Sequence, residues 1–360
     1  MSRAAVARID LTALKKNLDR VRSAAPQSRT VSIVKGNAYG HGLLRVSYAL
    51  DSTDAYGVAR VDEALQLREG GIEKAIILLE GFQDGCDLSV TREMGFQPVV
   101  HADHQIDLLD SELKKSGGNP LSIWLKLDTG MHRLGFDAHR YRQIYDKLQA
   151  QPQVDVSVLM THFACADDRS DSSTDRQMAM FDRVTGGMRN PASLANSAGL
   201  LGWPASRRQW VRPGIMLYGL SPFLDGQAVD DGLSAVMTFE SKIIALHDVA
   251  AGDSVGYGAT WTSPRTSKIG VVAAGYADGY PRQAPTGTPL LVKGKRCPLA
   301  GRVSMDMLCI DLTDQPEVKV GDTATMWGEG LPLEEVASHI GTIAYTLCCG
   351  VTSRTEYDYG

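Results

Sequence analysis

A β-α rhythm governs most of this chain. Short apolar runs fall at Thr30–Lys35, Ala55–Ala59, Ala75–Leu79, Gln97–Val100, Leu121–Leu127, Val156–His162, Ala192–Asn196 and Val211–Leu217. Amphipathic helical patterns lie between them, as at Val61–Glu69, His104–Lys115, Ala138–Gln149 and Asp175–Met188. The runs recur at roughly 20 to 35 residues, the length a strand and its crossover helix need. Eight such units in order predict a closed (β/α)8 barrel over residues 1–228 rather than an open sheet.

From about Asp231 the rhythm stops. Val236–Leu246, Lys268–Ala274, Pro289–Lys293, Met307–Leu312 and Thr323–Trp327 are strand-like runs broken by Gly, Pro and Asp turns. One short helical stretch remains, Leu333–Ile340. This pattern predicts a mainly antiparallel β domain over residues 229–360. The total of 360 residues suits a barrel plus a smaller module.

The net charge of −5 gives no basic footprint for nucleic acid. No apolar stretch approaches the ~18 to 20 residues that would span a bilayer. Residues 1–11 read as a strand running into a helix cap at Asp10, without an apolar signal core. The six cysteines, Cys86, Cys165, Cys297, Cys309, Cys348 and Cys349, form no C-x-x-C pair and no metal spacing. A cytoplasmic protein is expected, with no metal, membrane or nucleic-acid partner.

Candidate chemistry begins with Val31-Ser-Ile-Val-Lys35-Gly-Asn-Ala-Tyr39-Gly-His41-Gly42. It puts a lysine at the carboxyl end of the first barrel strand, where barrel active sites assemble. Partial desolvation there lowers a lysine pKa and makes the amine a nucleophile or base; on position alone a solvated strand-end lysine reads as well. Barrels bind phosphate on the loops after strands seven and eight. Those loops carry Asn196-Ser197-Ala-Gly199 and Arg212-Pro-Gly214-Ile215, although N-S-A-G alone also reads as a plain loop. In Leu125-Lys126-Leu-Asp128-Thr-Gly130-Met-His-Arg133, strand alternation puts Lys126 and Asp128 on one face. A lysine inside an apolar strand is costly unless paired or neutralised.

K-x-N-A-Y-G-H-G resembles the cofactor-lysine signature of bacterial alanine racemases, fold-type-III pyridoxal 5'-phosphate enzymes. The likeness runs from Ile9 to about Tyr345. Gly36 departs from the more common alanine, and Trp261 from tyrosine or phenylalanine. The resemblance implies that Lys35 carries the cofactor covalently and is one catalytic base. Tyr39, Ser197, the amides of Gly214 and Ile215, and Tyr345 would hold the cofactor, and Arg212 would face its pyridine nitrogen with His162 as buttress. Tyr257, in Val-Gly-Tyr257-Gly-Ala-Thr260, matches the second base, which in the family reaches the partner subunit's site in a head-to-tail homodimer. Lys126 matches a lysine that is carbamylated and holds the arginine at position 133, and Arg133 and Met305 match the substrate-carboxylate contacts. Asp306 falls beside Met305 in the substrate-carboxylate segment, and Tyr276 in a segment that matches a gate near the entrance.

An arginine can donate to the pyridine nitrogen but cannot protonate it. The ring is then a weaker electron sink, which favours return of a proton to the same carbon over transamination or decarboxylation. Decarboxylases of the same fold type would be expected to place an acid there and lack the tyrosine of Y-G-A-T. Barrel-only proteins of cofactor homeostasis stop before residues such as Tyr257 and Met305. The expected activity is therefore interconversion of L- and D-alanine, supplying D-alanine as a peptidoglycan precursor. Racemisation of another small amino acid such as serine is the alternative.

Overall fold

The computed structural model describes residues 5–112 and 120–360. Eight parallel strands close the expected barrel: β2 (Arg29–Ile33), β3 (Ala55–Val58), β4 (Ala75–Leu78), β5 (Gln97–Val100), β6 (Leu121–Lys126), β7 (Val154–Met160), β8 (Ala192–Ser193) and β9 (Trp210–Val211). Alternation along these strands separates two cores. Val31, Ile33, Ile77, Val99, Trp124, Val158 and Met160 fill the barrel, while Leu125, Leu159 and their odd-register neighbours face the surrounding helices. The helices at Val61–Glu69 and Leu333–Ile340 end where the sequence reading put them. The helix expected at His104–Lys115 is seen at Asp103–Glu112, and residues 113–115 lie outside the described residues.

Two expected strands are much shorter than their apolar runs. Strand eight stops at Val211, because Pro213 has no N–H for a ladder and Ile215–Tyr218 winds into a 3-10 turn. Strand seven stops at Ser193, and Asn196 caps a short helix at Ser197–Gly202 through Gly199 N (2.9 Å). Apolar runs near a barrel mouth mark burial there, not pairing.

The second layer is mainly antiparallel, ordered β15 (Lys295–Pro298), β14 (Pro289–Val292), β17 (Thr323–Trp327), β10 (Met237–Val249), β1 (Val6–Ile9) and β18 (Glu356–Tyr359). Strands β13 (Ser267–Val272) and β16 (Leu308–Asp311) extend it from β10, and β11 (Ser254–Val255) pairs β12 (Trp261–Thr262) as a separate hairpin. The first strand of the chain pairs antiparallel with β10 and parallel with β18, so both chain ends lie in this sheet. Asp10 then caps the helix Leu11–Ala24 by accepting from Ala13 N at 2.8 Å. A further helix, Ala344–Cys349, was not expected; it packs against the turn that follows β2.

Candidate active site

Side-chain alternation builds the mouth of the barrel. Inward-facing columns continue as Ile33 to Lys35, Trp124 to Lys126, Met160 to His162, and Trp210 to Arg212. Four groups that the sequence separates by up to 177 positions thus converge on one end of the barrel. They act on one another electrostatically: Lys126 feels Arg212, Arg133 and Lys35, and Lys35 feels Arg133.

Lys35 opens a left-handed turn. Gly36, Asn37, Ala38 and Tyr39 have φ of 63°, 53°, 54° and 52°. Such backbone costs roughly 1–2 kcal/mol for each residue bearing a Cβ, and glycine avoids that cost at the first position. An alanine at Gly36 would meet open space but would share the strain. Hydrogen bonds hold the turn. Glu63 accepts from Gly36 N (2.6 Å) and Ala59 N (2.8 Å), Asn37 Oδ1 accepts from Leu43 N (2.8 Å), and His41 Nδ1 donates to Tyr39 O (2.8 Å). Although Lys35 is exposed at the open barrel mouth, partial desolvation and then the Arg133 charge lower its pKa. Its amine is therefore easier to deprotonate than an ordinary lysine.

Arg212 is 3% exposed and richly bonded. Nη1 donates to Ser193 O (2.9 Å) and Ser193 Oγ (2.6 Å), and Nη2 donates to Thr161 O (2.7 Å), Leu194 O (3.2 Å) and His162 Nδ1 (3.2 Å). Burial brings its pKa down only to about 10, so it stays cationic at neutral pH. Burial, then the Arg212 charge, pushes His162 well below its ordinary value, so a neutral ring accepts from the guanidinium. All of these bonds come from Nη1 and Nη2, and none from Nε reaches a described residue.

Lys126 is 6% exposed, and burial followed by the Arg212 and Arg133 charges pulls its pKa down to about 7. Asp128, on the same strand face, does not pair with it. Its Oδ1 accepts from Gly130, Met131 and His132 N, and its Oδ2 meets His132 Nδ1 at 3.0 Å. It shapes the loop that delivers Arg133. No carboxylate among the described residues forms an ion pair with Lys126.

Beside these cations, Ser197 Oγ accepts from Gly214 N at 2.8 Å and Met216 N at 3.4 Å. Gly214 leaves room for Tyr39, whose hydroxyl lies 2.5 Å from where a Cβ would stand. The Tyr39 ring lies 4.7 Å from Tyr218 and 5.9 Å from Tyr345, which the helix Ala344–Cys349 brings over from the second layer. Burial raises both the Tyr39 and Tyr345 hydroxyl pKa values, so each is a donor.

The remaining predicted residues stand elsewhere. Tyr257 is 69% exposed, at the tip of the β11–β12 hairpin, where Gly256 and Gly258 pack on Arg302. Trp261 pairs with Val255 in that hairpin. Met305 and Tyr276 are exposed on adjoining loops, joined by Tyr276 N to Ser304 O (3.1 Å) and Ala277 N to Met305 O (2.9 Å). Arg354 ties Asp306 to Asp278 beneath them. No hydrogen bond or ring contact among the described residues links Tyr257 to Lys35. Glu63, Ser193 and Tyr218 were not singled out from sequence, since only the closed barrel gives them partners.

A donor set that is cationic, holds one unpartnered guanidinium N–H and adds a serine–glycine cradle fits an anionic phosphate ester with an aromatic nitrogen. Among the described residues no helix is long and apolar enough to cross a membrane, and no cluster of His, Cys, Asp or Glu could hold a metal ion.

Comparison with known proteins agrees with this geometry. The family model for the alanine racemase N-terminal domain matches residues 9–222, and that for the alanine racemase C-terminal domain matches residues 236–359. An alanine racemase from Vibrio atlanticus (strain LGP32) is 51% identical over 359 residues, covering 99% of each chain. The crystal structure of the biosynthetic alanine racemase from Pseudomonas aeruginosa matches with a TM-score of 0.96 at 43% identity, covering 100% of both chains. An alanine racemase from Bartonella henselae, solved with covalently bound pyridoxal phosphate, matches with a TM-score of 0.91 at 28% identity over 99% of each chain. The chain belongs to the alanine racemase family and is an amino-acid racemase.

Proposed function

We propose that this chain interconverts L- and D-alanine with pyridoxal 5'-phosphate in the barrel mouth, using Lys35 and the partner subunit's Tyr257 as bases on opposite faces of the substrate. The observation that carries this reading is Arg212, a permanent cation immobilised by five acceptor contacts with one N–H left over, beside a lysine of lowered pKa. Lys35 would bind the cofactor covalently. Ser197, Gly214, Ile215, Tyr39 and Tyr345 would hold its phosphate, and His162 would keep Arg212 in place. The cofactor, when bound, supplies the electron sink that acidifies the substrate α-carbon.

Lys35 takes or returns the α-proton on one face. A base must come within ~2.6–3.2 Å of the proton it takes. Tyr257 sits exposed on a loop with no contact to Lys35 in its own chain, which supports a head-to-tail homodimer that shares its sites. Arg133 and the Met305 amide receive the substrate carboxylate, while Asp306 and Tyr276 support the entrance. Lys126 is carbamylated: an amine with a pKa near 7 is available to carbon dioxide at neutral pH, and the carbamate would answer the surrounding cations. Production of D-alanine for peptidoglycan in the cytoplasm fits this activity.

The test is purified protein given L-alanine, D-alanine, serine and lysine separately, with chiral analysis of each. Racemised alanine and a yellow protein whose visible absorbance is lost in Lys35→Ala are expected. A colourless protein that ignores added cofactor contradicts the reading. Serine draws no support from the relatives, which are alanine racemases.

A further inference from the structure

Behind the Lys35 turn lies a second cavity of about 170 Å³, between the barrel and the β layer. Its wall is mainly apolar, with Leu233, Val236, Met237 and Leu333 set against the rings of Tyr218 and His41. Small-molecule sites favour such domain junctions. A dry apolar cavity of roughly 150 Å³ accepts benzene, which sets the size of ligand this space takes.

The buried polar groups of the wall can be counted off. Tyr218 Oη donates to Ile33 O at 2.9 Å, and Cys348 Sγ lies against Tyr345 O at 3.4 Å. Glu334, nearer the rim, already accepts from Ser221 N at 3.0 Å. His41 is 1% exposed, and its Nδ1 meets the carbonyls of Tyr39 (2.8 Å) and Ala38 (3.2 Å). Carbonyls only accept, so Nδ1 carries the proton and Nε2 of the neutral ring is an acceptor. No hydrogen bond to Nε2 from a described residue is seen, and His41 lines the cavity, so a donor held there would meet a free acceptor.

We infer that this cavity is a binding site for a single-ring aromatic molecule bearing one hydrogen-bond donor, received by His41 Nε2. The Tyr218 ring stacks on His41 at 4.7 Å and on Tyr39 at 4.7 Å. An occupant therefore touches the stack that backs the Lys35 turn without entering the barrel mouth.

Calorimetric titration of the purified protein near pH 7 with phenol and, separately, with pyridine tests this. Pyridine has the same ring size but only an acceptor. Phenol should bind saturably, one per chain, at least about 10-fold more tightly than pyridine, the worth of one satisfied hydrogen bond. Leu233→Phe, which fills the cavity, should weaken phenol at least about 10-fold, and Ala235→Trp at the exposed rim should do the same should the first variant misfold. Absent saturation, equal binding of the two probes, or phenol affinity untouched by both substitutions overturns the proposal. The readout needs neither turnover nor cofactor.

Discussion

Arg212 and His162 meet nitrogen to nitrogen at 3.2 Å, and the contact fixes the state of both. The guanidinium can only donate, so His162 Nδ1 must accept and the ring must be neutral. Burial and the Arg212 charge, which depress the His162 pKa, enforce the same state. A neutral buttress adds no further charge beside Arg212, which in the proposed function would face the cofactor nitrogen.

Lysine at position 212 would keep the charge but lose the fork. One ammonium has three donors and cannot reach Ser193, Thr161, Leu194 and His162 together. Arg212→Lys should lower kcat/KM about 10- to 100-fold and cost about 1–3 kcal/mol of stability, from acceptors left unmet. Steady-state kinetics and urea unfolding check this.

Glu63 holds the turn that starts at Lys35. Its two carboxylate oxygens each take a backbone N–H, from Gly36 and Ala59, and glutamine offers only one acceptor. Glu63→Gln should lower kcat about 10-fold or more through displacement of the turn, with KM changing less. Equal losses in both constants would point to general damage.

How far such residues can be read in advance varies. Strand ends and alternation are local properties, so Lys35 was legible at the carboxyl end of strand one and Lys126 as sharing a face with Asp128, while the place of Arg212 came from the family resemblance. The left-handed turn was not legible, because three of its four residues carry a Cβ and nothing in their types demands positive φ. Strand β1 was legible as a strand but not as a member of the second sheet, since a four-residue run of three apolar residues and Arg8 carries no address. Glu63 looked like any acid in the first turn of a helix, and only the closed barrel brings Gly36 to it. The cofactor roles came from resemblance to a family rather than from residue types alone.

Lys126 should respond to pH and to carbon dioxide. With a pKa near 7, its free amine dominates above neutrality and is lost below it. Intact mass spectrometry near pH 8 with bicarbonate should show one added carbon dioxide, absent from Lys126→Ala and after acid treatment. An unchanged mass at pH 8 would leave Lys126 as a free buried amine.

His41 ties stability to acid. Its folded pKa is about 4 against 6.5 for a free side chain, because burial disfavours the charged ring. Between those values the unfolded chain binds the extra proton, so stability falls as pH drops through this window, by up to about 3 kcal/mol. His41→Asn should flatten the slope of urea midpoint against pH between 6.5 and 4. An identical slope would assign the acid sensitivity to other groups.

A shared active site is tested most directly by mixing two dead subunits. Lys35→Ala retains Tyr257, and Tyr257→Phe retains Lys35. If each site draws its tyrosine from the partner, a mixed dimer rebuilds one complete site of two, and random reassortment should restore about a quarter of wild-type activity. No recovery, with mixed dimers demonstrably formed, would mean that Tyr257 does not act across the interface.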